Sequence, residues 1–378
     1  MSGSIIWHLH QPYFIPDTEI KHQVEASYRP LIDSHVTHDV RFSLNITGSL
    51  LSRLHDLTPD FVDRLKSIHD EGLVQVLGSA YHHPVLPILP PAHQYKQIVR
   101  DLETKESIFG TRPNGFWPTE LAWSHQLVPV LEQLNVKWTI VDSTAIAAGT
   151  SVPTWQPTEF AGHDVLEPDT TTAVSQRELR SSYQAYTGDH SVTVVPRNQS
   201  HSRALIDPEV GALYQSGDPE DIADTVGEEV ESTSGRLVIG GDGERITNGT
   251  AHRYHRFLKH LTSSHPDQID HINPHPTDSR FIPATSFQGG FSSWASTPED
   301  YTYLLQLWQL QQTLARCRLV DSPDASAANH LRAAEEALLK AEDSSNVFWR
   351  YVPRTRQAGH DMLAEAKAHL ASHRGDHK

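Results

Sequence analysis

Short apolar runs that end in polar or glycine-rich residues recur through the first two-thirds of the chain. Each run has the length of a buried β-strand. Helical patterns separate the runs, and this alternation is typical of a mostly parallel sheet with crossover helices. The predicted strands are Ile5–His10, Arg41–Asn45, Leu73–Gly78, Gly115–Pro118, Lys137–Asp142, Val192–Pro196 and Arg236–Gly240.

Two further regions have a different character. Residues 150–190 are rich in Thr, Ser, Pro and Gly without a clear period, which predicts an inserted loop region beside the sixth strand. After about residue 295 the pattern becomes purely helical, and Thr297 followed by Pro298 predicts the start of the first helix there. The sequence therefore predicts an α/β region followed by helices.

Composition and charge restrict the kinds of molecule that the protein can bind and the compartment in which we expect it. The formal net charge of −16 repels nucleic acid and anionic membranes, so we expect a neutral partner. The N-terminus lacks the basic segment of a secretory signal, and no run of about 18 apolar residues occurs, which predicts a cytoplasmic protein. Cys317, the single cysteine, excludes an intramolecular disulfide and a cysteine-based zinc cluster. The acidity would also suit a high-salt cytoplasm.

One candidate for chemistry is a carboxylate between two tryptophans. Glu120 ends a predicted strand and lies between Trp117 and Trp123. Barrel enzymes display catalytic groups at this end of their strands. Aromatic rings bury sugar faces, and a carboxylate beneath them can stabilise or attack an oxocarbenium-like centre. The alternative is a glutamate at a helix N-terminus beside core tryptophans.

A second candidate follows the apolar strand at residues 237–239. Asp242 has a glycine on each side, which lets the backbone approach a ligand closely. In an extended strand end, Asp242 and Glu244 would point to the same side, so one could act as acid/base and the other as its partner. An ordinary Asp-Gly turn is the alternative.

Histidines and an amide could line one pocket. His8 and His10 alternate on the first predicted strand, and His82 and His83 follow the third, with Gln11 nearby. Neutral imidazoles and amides suit sugar hydroxyls, but the same histidines would suit a divalent-metal hydrolase. The sequence has no compact metal-ligand motif, phosphate loop, dinucleotide fingerprint or Gly-X-Ser-X-Gly elbow.

Four short segments in chain order resemble the motifs of glycoside hydrolase family 57, an α-glucan family. They are His10-Gln11-Pro12, Gly78 to Pro84, Trp117 to Glu120, and Asp242-Gly243-Glu244. The chain departs from the pattern at Gly241, where the family often has Asp, and at Ser345-Asn346, where it often has Ser-Asp. These departures concern outer-subsite contacts and the choice of acceptor.

The resemblance implies a distorted (β/α)7 barrel in residues 1–290 and a helical subdomain in residues 291–378 that completes the substrate cleft. It implies Glu120 as nucleophile and Asp242 as general acid/base, with no metal and no cofactor. The expected substrate contacts are His10, Gln11, His83, Trp117, Trp123, Glu244, Trp294 and Trp349.

The predicted activity is α-amylase-like hydrolysis of α-1,4-linked glucans or malto-oligosaccharides by retaining double displacement, which requires carboxyl groups about 5 to 5.5 Å apart. A 4-α-glucanotransferase or a branching-type transglycosylase is the alternative on the same site. A metal-dependent carbohydrate deacetylase and a non-catalytic glucan-binding protein are the alternatives of other classes. The sequence does not indicate the oligomeric state, the linkage or the preferred chain length.

Overall fold

The strands of the computed structural model include all those that the sequence predicts. The model describes residues 2–148, 155–160, 163–168, 175, 177–206, 217–232, 235–247, 249–288, 290–320, 325–348 and 353–375. The strands are β1 (Ser2–Leu9), β2 (Phe42–Ile46), β3 (Val74–Val76), β4 (Gly115–Phe116), β5 (Trp138–Asp142), β6 (Trp155–Phe160), β7 (His163–Pro168), β8 (Tyr183–Thr187), β9 (His190–Arg197), β10 (Arg236–Asp242) and β11 (Asp278–Ser279).

Helices follow most of these strands and cover the outside of the sheet. They are α1 (Asp17–Gln23), α2 (Arg29–His38), α3 (Gly48–Leu57), α4 (Pro59–Asp70), α5 (Pro91–Phe109), α6 (Leu127–Gln133), α7 (Ser143–Ala148), α8 (Gln199–Ile206), α9 (Pro219–Ser232), α10 (Ala251–Ser264), α11 (Pro298–Val320), α12 (Ala325–Ala341), α13 (Ser345–Phe348) and α14 (Pro353–Gly375).

Parallel pairing joins the strands into a closed ring. One sheet has the order β10-β1-β2-β3, and the parallel part of the other has the order β9-β5-β4. The first junction lies after β3, where the Gly78 and Trp117 amides donate to the Gly115 and Gly78 carbonyls, each at 2.8 Å. At the second junction the Asn198 amide donates to the Val238 carbonyl, also at 2.8 Å. Within the described residues the strands β1 to β5, β9 and β10 thus form the predicted (β/α)7 barrel.

The strand predictions are confirmed because parallel barrel strands are covered on both faces and therefore have apolar sequences. All five residues of β2 and all five of β5 are buried. The loop prediction for residues 150–190 is wrong for the described part of that region. There β6 and β7 pair antiparallel, and β8 pairs antiparallel with β9. The strand β8 buries Tyr183 and Ala185 but has polar residues at other positions, so it lacks the apolar run of a barrel strand.

The C-terminal helices begin where the sequence predicts. The Asp300 amide donates to Thr297 Oγ1 at 3.2 Å, and the Thr297 amide donates to Asp300 Oδ2 at 3.1 Å. This reciprocal pair satisfies two amides at the start of α11. The apolar core of α11, α12 and α14 includes Cys317 and extends to Val85 and Ala122 in the loops after β3 and β4. Among the described residues, no helix combines the length and the apolar composition needed to cross a bilayer.

Candidate active site

The parallel register brings polar side chains of three adjacent strands to the same face. His8 on β1 is the Cα partner of Asn45 on β2 and of Asp242 on β10. Paired positions in a sheet share a face, so these side chains point to one side of the strands. His10 lies two residues after His8 and shares that side. The carboxyl ends of β1, β2 and β10 therefore present histidine, amide and carboxyl groups together.

Glu120 lies in a strained turn directly after β4. Its backbone has φ 58° and ψ 20°, a left-handed conformation that is costly for a residue with a side chain. The Phe287 amide donates to the Glu120 carbonyl at 3.0 Å and helps to hold the turn. Strain of this kind persists where surrounding contacts fix it, and it is frequent at functional sites. The turn leaves 17% of the Glu120 side chain exposed.

A hydroxyl from the helical region binds the Glu120 carboxyl. Ser344, which precedes α13, donates from Oγ to Glu120 Oε1 at 2.8 Å. Ser344 is held by its backbone as well, because its amide donates to the His83 carbonyl at 3.0 Å. Burial raises the pKa of Glu120 to about 8, the Ser344 hydrogen bond lowers it, and the charges of Asp242 and Asp343 raise it further. The carboxyl groups therefore influence one another.

His83 connects Ser344 with His8. Its Nδ1 lies 3.0 Å from Ser344 Oγ, and its Nε2 lies 3.0 Å from His8 Nε2. At the far side of His8, Nδ1 lies 2.8 Å from Asn45 Nδ2. Burial lowers the pKa of His8 to about 3 and that of His83 well below its usual range, so both rings are neutral.

The end of β10 contributes a coupled pair of carboxyl groups. Glu244 Oε1 accepts hydrogen bonds from the His10 amide at 2.6 Å and from the Tyr28 hydroxyl at 3.0 Å. Burial and the charge of Asp242 raise the pKa of Glu244 to about 8. The Asp242 residue reaches solvent, yet desolvation by the surrounding protein raises the pKa of its carboxyl, while the charges of Arg245 and Arg197 lower it. The cluster can thus store a proton at neutral pH.

Among the residues that the structure describes, the group closest to a metal site consists of His10, His83 and Asp343. Their donor atoms lie within 4.8 Å of one another. His10 Nε2 and Asp343 Oδ2 are buried, 3.7 Å apart, and without a hydrogen-bond partner among the described residues. Both nitrogens of His83, however, already bind Ser344 and His8. Two remaining donors fall short of the three protein ligands of a catalytic zinc site.

The structure brings most of the predicted site residues together. Glu120, Asp242, Glu244, His10 and His83 interact through the contacts and charges described above. The other two predicted contacts lie at the margin of this group. Gln11 Nε2 donates to the Tyr28 hydroxyl at 3.4 Å, and the buried Trp117 ring is nearly parallel to the His8 ring at 6.0 Å.

Two predicted sugar contacts need correction. Trp123 and Trp294 are completely buried. The Trp123 indole N–H donates to the Ile282 carbonyl at 3.1 Å, and Trp294 packs edge-on against Phe287. Both indoles are therefore core side chains. The prediction was wrong because the sequence shows that a ring is present but not which side it faces. Trp349 lies outside the described residues.

Several residues of the site were not predicted from the sequence. They are Asn45, Thr47, Tyr28, Asp343 and Ser344. Asn45 gave one usable signal, a polar residue at the end of its predicted strand, the same place that His10 has in the first predicted strand. Ser344 gave none, because a serine beside another serine before a short helix has no distinguishing pattern.

The comparison with protein families decides where the chain belongs. The model of "Glycosyl hydrolase family 57" matches residues 4–273. The chain belongs to glycosyl hydrolase family 57. As a family 57 member it is 29% identical to alpha-amylase 1 of Dictyoglomus thermophilum over 136 residues, which cover 36% of this chain and 20% of that protein. It is 27% identical, over 136 residues, to a 4-alpha-glucanotransferase of Thermococcus kodakarensis, which covers 36% of this chain and 21% of that protein.

The matched part of this family 57 chain spans about a fifth of the length of those two relatives. Solved structures give a longer match. A family 57 branching enzyme from Thermococcus kodakaraensis, crystallised with glucose, has a TM-score of 0.74 at 15% identity, covering 98% of this chain and 90% of that one. The alpha-amylase AmyC from Thermotoga maritima has a TM-score of 0.67 at 14% identity, covering 99% and 96%. These likenesses show the fold.

Proposed function

We propose that this chain is a retaining glycosidase that cleaves α-1,4-linked glucans. The observation that carries the proposal is the group of carboxyl groups at the strand ends, in which the charge of Asp242 raises the pKa of both Glu120 and Glu244. Two carboxyl groups, one ionised and one protonated, are the equipment of a retaining glycosidase. Family membership and the amylase and glucanotransferase relatives support the substrate class.

In the proposed reaction Glu120 attacks the anomeric carbon while Asp242 gives its proton to the glycosidic oxygen. The glycosidic bond breaks, and a glycosyl-enzyme ester forms on Glu120. Asp242 then takes a proton from the incoming acceptor, whose oxygen bonds to the anomeric carbon as the ester breaks and the Glu120 carboxylate is released. Glu120 must be ionised to attack, and the hydrogen bond from Ser344 favours its ionised form.

Water is the acceptor that we propose, which makes the activity α-amylase-like. Asp242 is exposed to solvent, so water can reach the carboxylate that would activate it. Transfer to a second glucan, as in a glucanotransferase or branching enzyme, uses the same first step. The products distinguish the two outcomes.

The helical part of the chain, residues 291–378, is proposed to complete the substrate cleft of the barrel in residues 1–290. It supplies Ser344 to Glu120 and brings Asp343 beside His10. Residence in the cytoplasm and the absence of nucleic-acid and membrane partners stay predictions.

The test is product analysis on a defined malto-oligosaccharide, with and without a chelator. Wild type should give shorter products, Glu120→Gln no detectable turnover, and Asp242→Asn a loss of about 100- to 10,000-fold. Glu132→Gln, which alters an exposed carboxylate on α6, is the control and should keep full activity. Longer products beside shorter ones would mean a transferase. Loss of activity with chelator would favour the metal-dependent alternative, and no turnover by wild type would contradict the glycosidase proposal.

A further inference from the structure

We propose that Asn45 is a positioning residue that sets the direction of a hydrogen-bond chain ending on Glu120. The chain runs from Asn45 through His8, His83 and Ser344 to the Glu120 carboxyl. Its four links measure 2.8, 3.0, 3.0 and 2.8 Å. The inference rests on the proposed function, since it takes Glu120 to act as an ionised nucleophile.

The direction follows from the Glu120 end. An ionised carboxylate can only accept, so the Ser344 hydroxyl must donate its single proton to Glu120. Ser344 Oγ must then accept the hydrogen bond from His83, so His83 must carry its proton on Nδ1. A neutral imidazole has one donor and one acceptor nitrogen, so His83 Nε2 is an acceptor.

The same reasoning continues to β2. Because His83 Nε2 accepts, the neighbouring His8 Nε2 must carry a proton. His8 Nδ1 is then an acceptor, and the group beside it must be a donor. The Asn45 amide nitrogen meets this requirement. Asn45 is completely buried and in register with His8 across β1 and β2, so its amide has a fixed place beside the ring.

The reverse direction would remove the support for the nucleophile. If an acceptor faced His8 Nδ1, each proton in the chain would move to the opposite nitrogen, and Ser344 would donate to His83. Ser344 Oγ could then contact Glu120 only by accepting a proton from a neutral carboxyl group. The Asn45 donor therefore selects the arrangement that favours ionised Glu120, through three intervening side chains.

Histidine tautomers give a direct test in the unaltered protein. Nitrogen NMR of histidine-labelled wild type at pH 9, above the pKa of about 8 at Glu120, should show His8 protonated at Nε2 and His83 protonated at Nδ1, with His8→Gln and His83→Gln used to assign the signals. The opposite tautomers would overturn the proposal. This measurement does not depend on turnover, so it stays decisive even if the proposed glycosidase activity fails.

Kinetics test the effect on Glu120. Ser344→Ala should lower kcat/KM by about 10- to 100-fold, the loss of one hydrogen bond to a charged group, and should move the acid limb of its pH profile to higher pH. Asn45→Leu, similar in shape but without a donor, should move the same limb in the same direction. Ser67→Ala, which removes a serine-to-carboxylate hydrogen bond of 2.8 Å to Glu71 on the exposed face of α4, is the control and should leave the profile unchanged.

The double variant separates transmission along the chain from general damage. Once Ser344 is alanine the chain no longer reaches Glu120, so adding Asn45→Leu should cause no further shift of the acid limb. Equal shifts in the presence and absence of Ser344 would show that Asn45 acts by another route and would overturn the inference. Each variant is compared with wild type by circular dichroism, and if Asn45→Leu does not fold, the tautomer measurement on wild type decides.

Discussion

Two buried carboxyl groups in the same barrel have opposite surroundings. Asp101 on α5 is fully buried and accepts from Lys105 Nζ at 2.7 Å, the Gly48 amide at 2.8 Å and the Ser79 amide at 2.7 Å. Glu120 receives the Ser344 hydroxyl and lies near other carboxyl groups whose charges raise its pKa. Burial raises the pKa of both carboxyl groups, but at Asp101 the cation and the two amides oppose the rise, whereas at Glu120 two neighbouring charges add to it. Desolvation is therefore partly compensated at Asp101 and left largely uncompensated at Glu120. A carboxyl group whose pKa is strongly raised by its surroundings is the better candidate for a catalytic role.

Asp101 serves the site indirectly, by joining two loops. Gly48 begins the helix after β2, and Ser79 lies in the loop after β3 that carries His83. The approach at Gly48 is close, since a β-carbon there would lie 2.5 Å from the Tyr81 ring. Lys105 completes the arrangement by donating to the Leu77 carbonyl at 2.7 Å. Asp101 thus holds together the two loops, and the second of them carries His83 beside Glu120.

The largest expected effect is at the compensated site. Lys105→Met leaves Asp101 buried without its cation and should lower the free energy of unfolding by about 3–5 kcal/mol. Urea unfolding at pH 7 measures it. The matched control is Lys66→Met, since Lys66 and Asp70 have the same i, i+4 spacing on an exposed face and should cost less than about 0.5 kcal/mol. Equal losses in the two variants would show that burial does not set the cost of removing the cation.

An intermediate effect of opposite sign is expected at Glu120. Burial raises its pKa to about 8 from an ordinary value of 4.5, so the folded protein binds a proton that the unfolded chain releases between those values. The associated stability is present at pH 4 and is lost as the pH rises through 8. Glu120→Gln should therefore be more stable than wild type by about 1–3 kcal/mol at pH 9.

The comparison is made by thermal unfolding at pH 4 and pH 9. The advantage of Glu120→Gln should be small at pH 4, where the wild-type carboxyl is protonated in both states. An advantage of the same size at both pH values would show that the substitution acts through packing rather than through ionisation.

The smallest effect is expected where water surrounds the carboxylate. Glu220 pairs with Arg256 at 3.0 Å, and about half of each side chain is exposed. Glu220→Gln should change the free energy of unfolding by less than about 0.5 kcal/mol, and 1 M NaCl should remove even that difference. A cost above 1 kcal/mol in urea unfolding would mean that burial does not explain the differences among these carboxylates.

The sequence allowed the barrel to be predicted because each parallel strand needs its own apolar run. The strands β1 and β5, for example, are evident from their composition alone. The antiparallel β8 was missed because it lies outside the barrel, between β9 and the two-residue β11, where one face can be polar. The family motifs drew attention to Glu120 and Asp242, and the parallel register explains how β1, β2 and β10 bring their ends together.

Other features of the site depend on distant contacts that no local pattern contains. The left-handed backbone at Glu120 is held by the Phe287 amide, far away in the sequence. The burial of Trp123 depends on the carbonyl of Ile282. Ser344 meets Glu120 across a separation of 224 residues. The spacing of residues along the chain contains no information on such distant contacts. For this reason Trp123 and Trp294 were wrongly predicted to contact the sugar.

That separation of 224 residues also has a consequence during synthesis on the ribosome. At about 5–20 residues per second, Ser344 is made roughly 10 to 45 s after Glu120, which is ample time for the barrel strands up to β10 to emerge and begin folding. Until Ser344 arrives, the Glu120 carboxyl lacks the hydroxyl that favours its ionised form. The nascent chain is therefore expected to be about 10- to 100-fold less active while most of its barrel is already present, and to gain full activity only when the later helices dock.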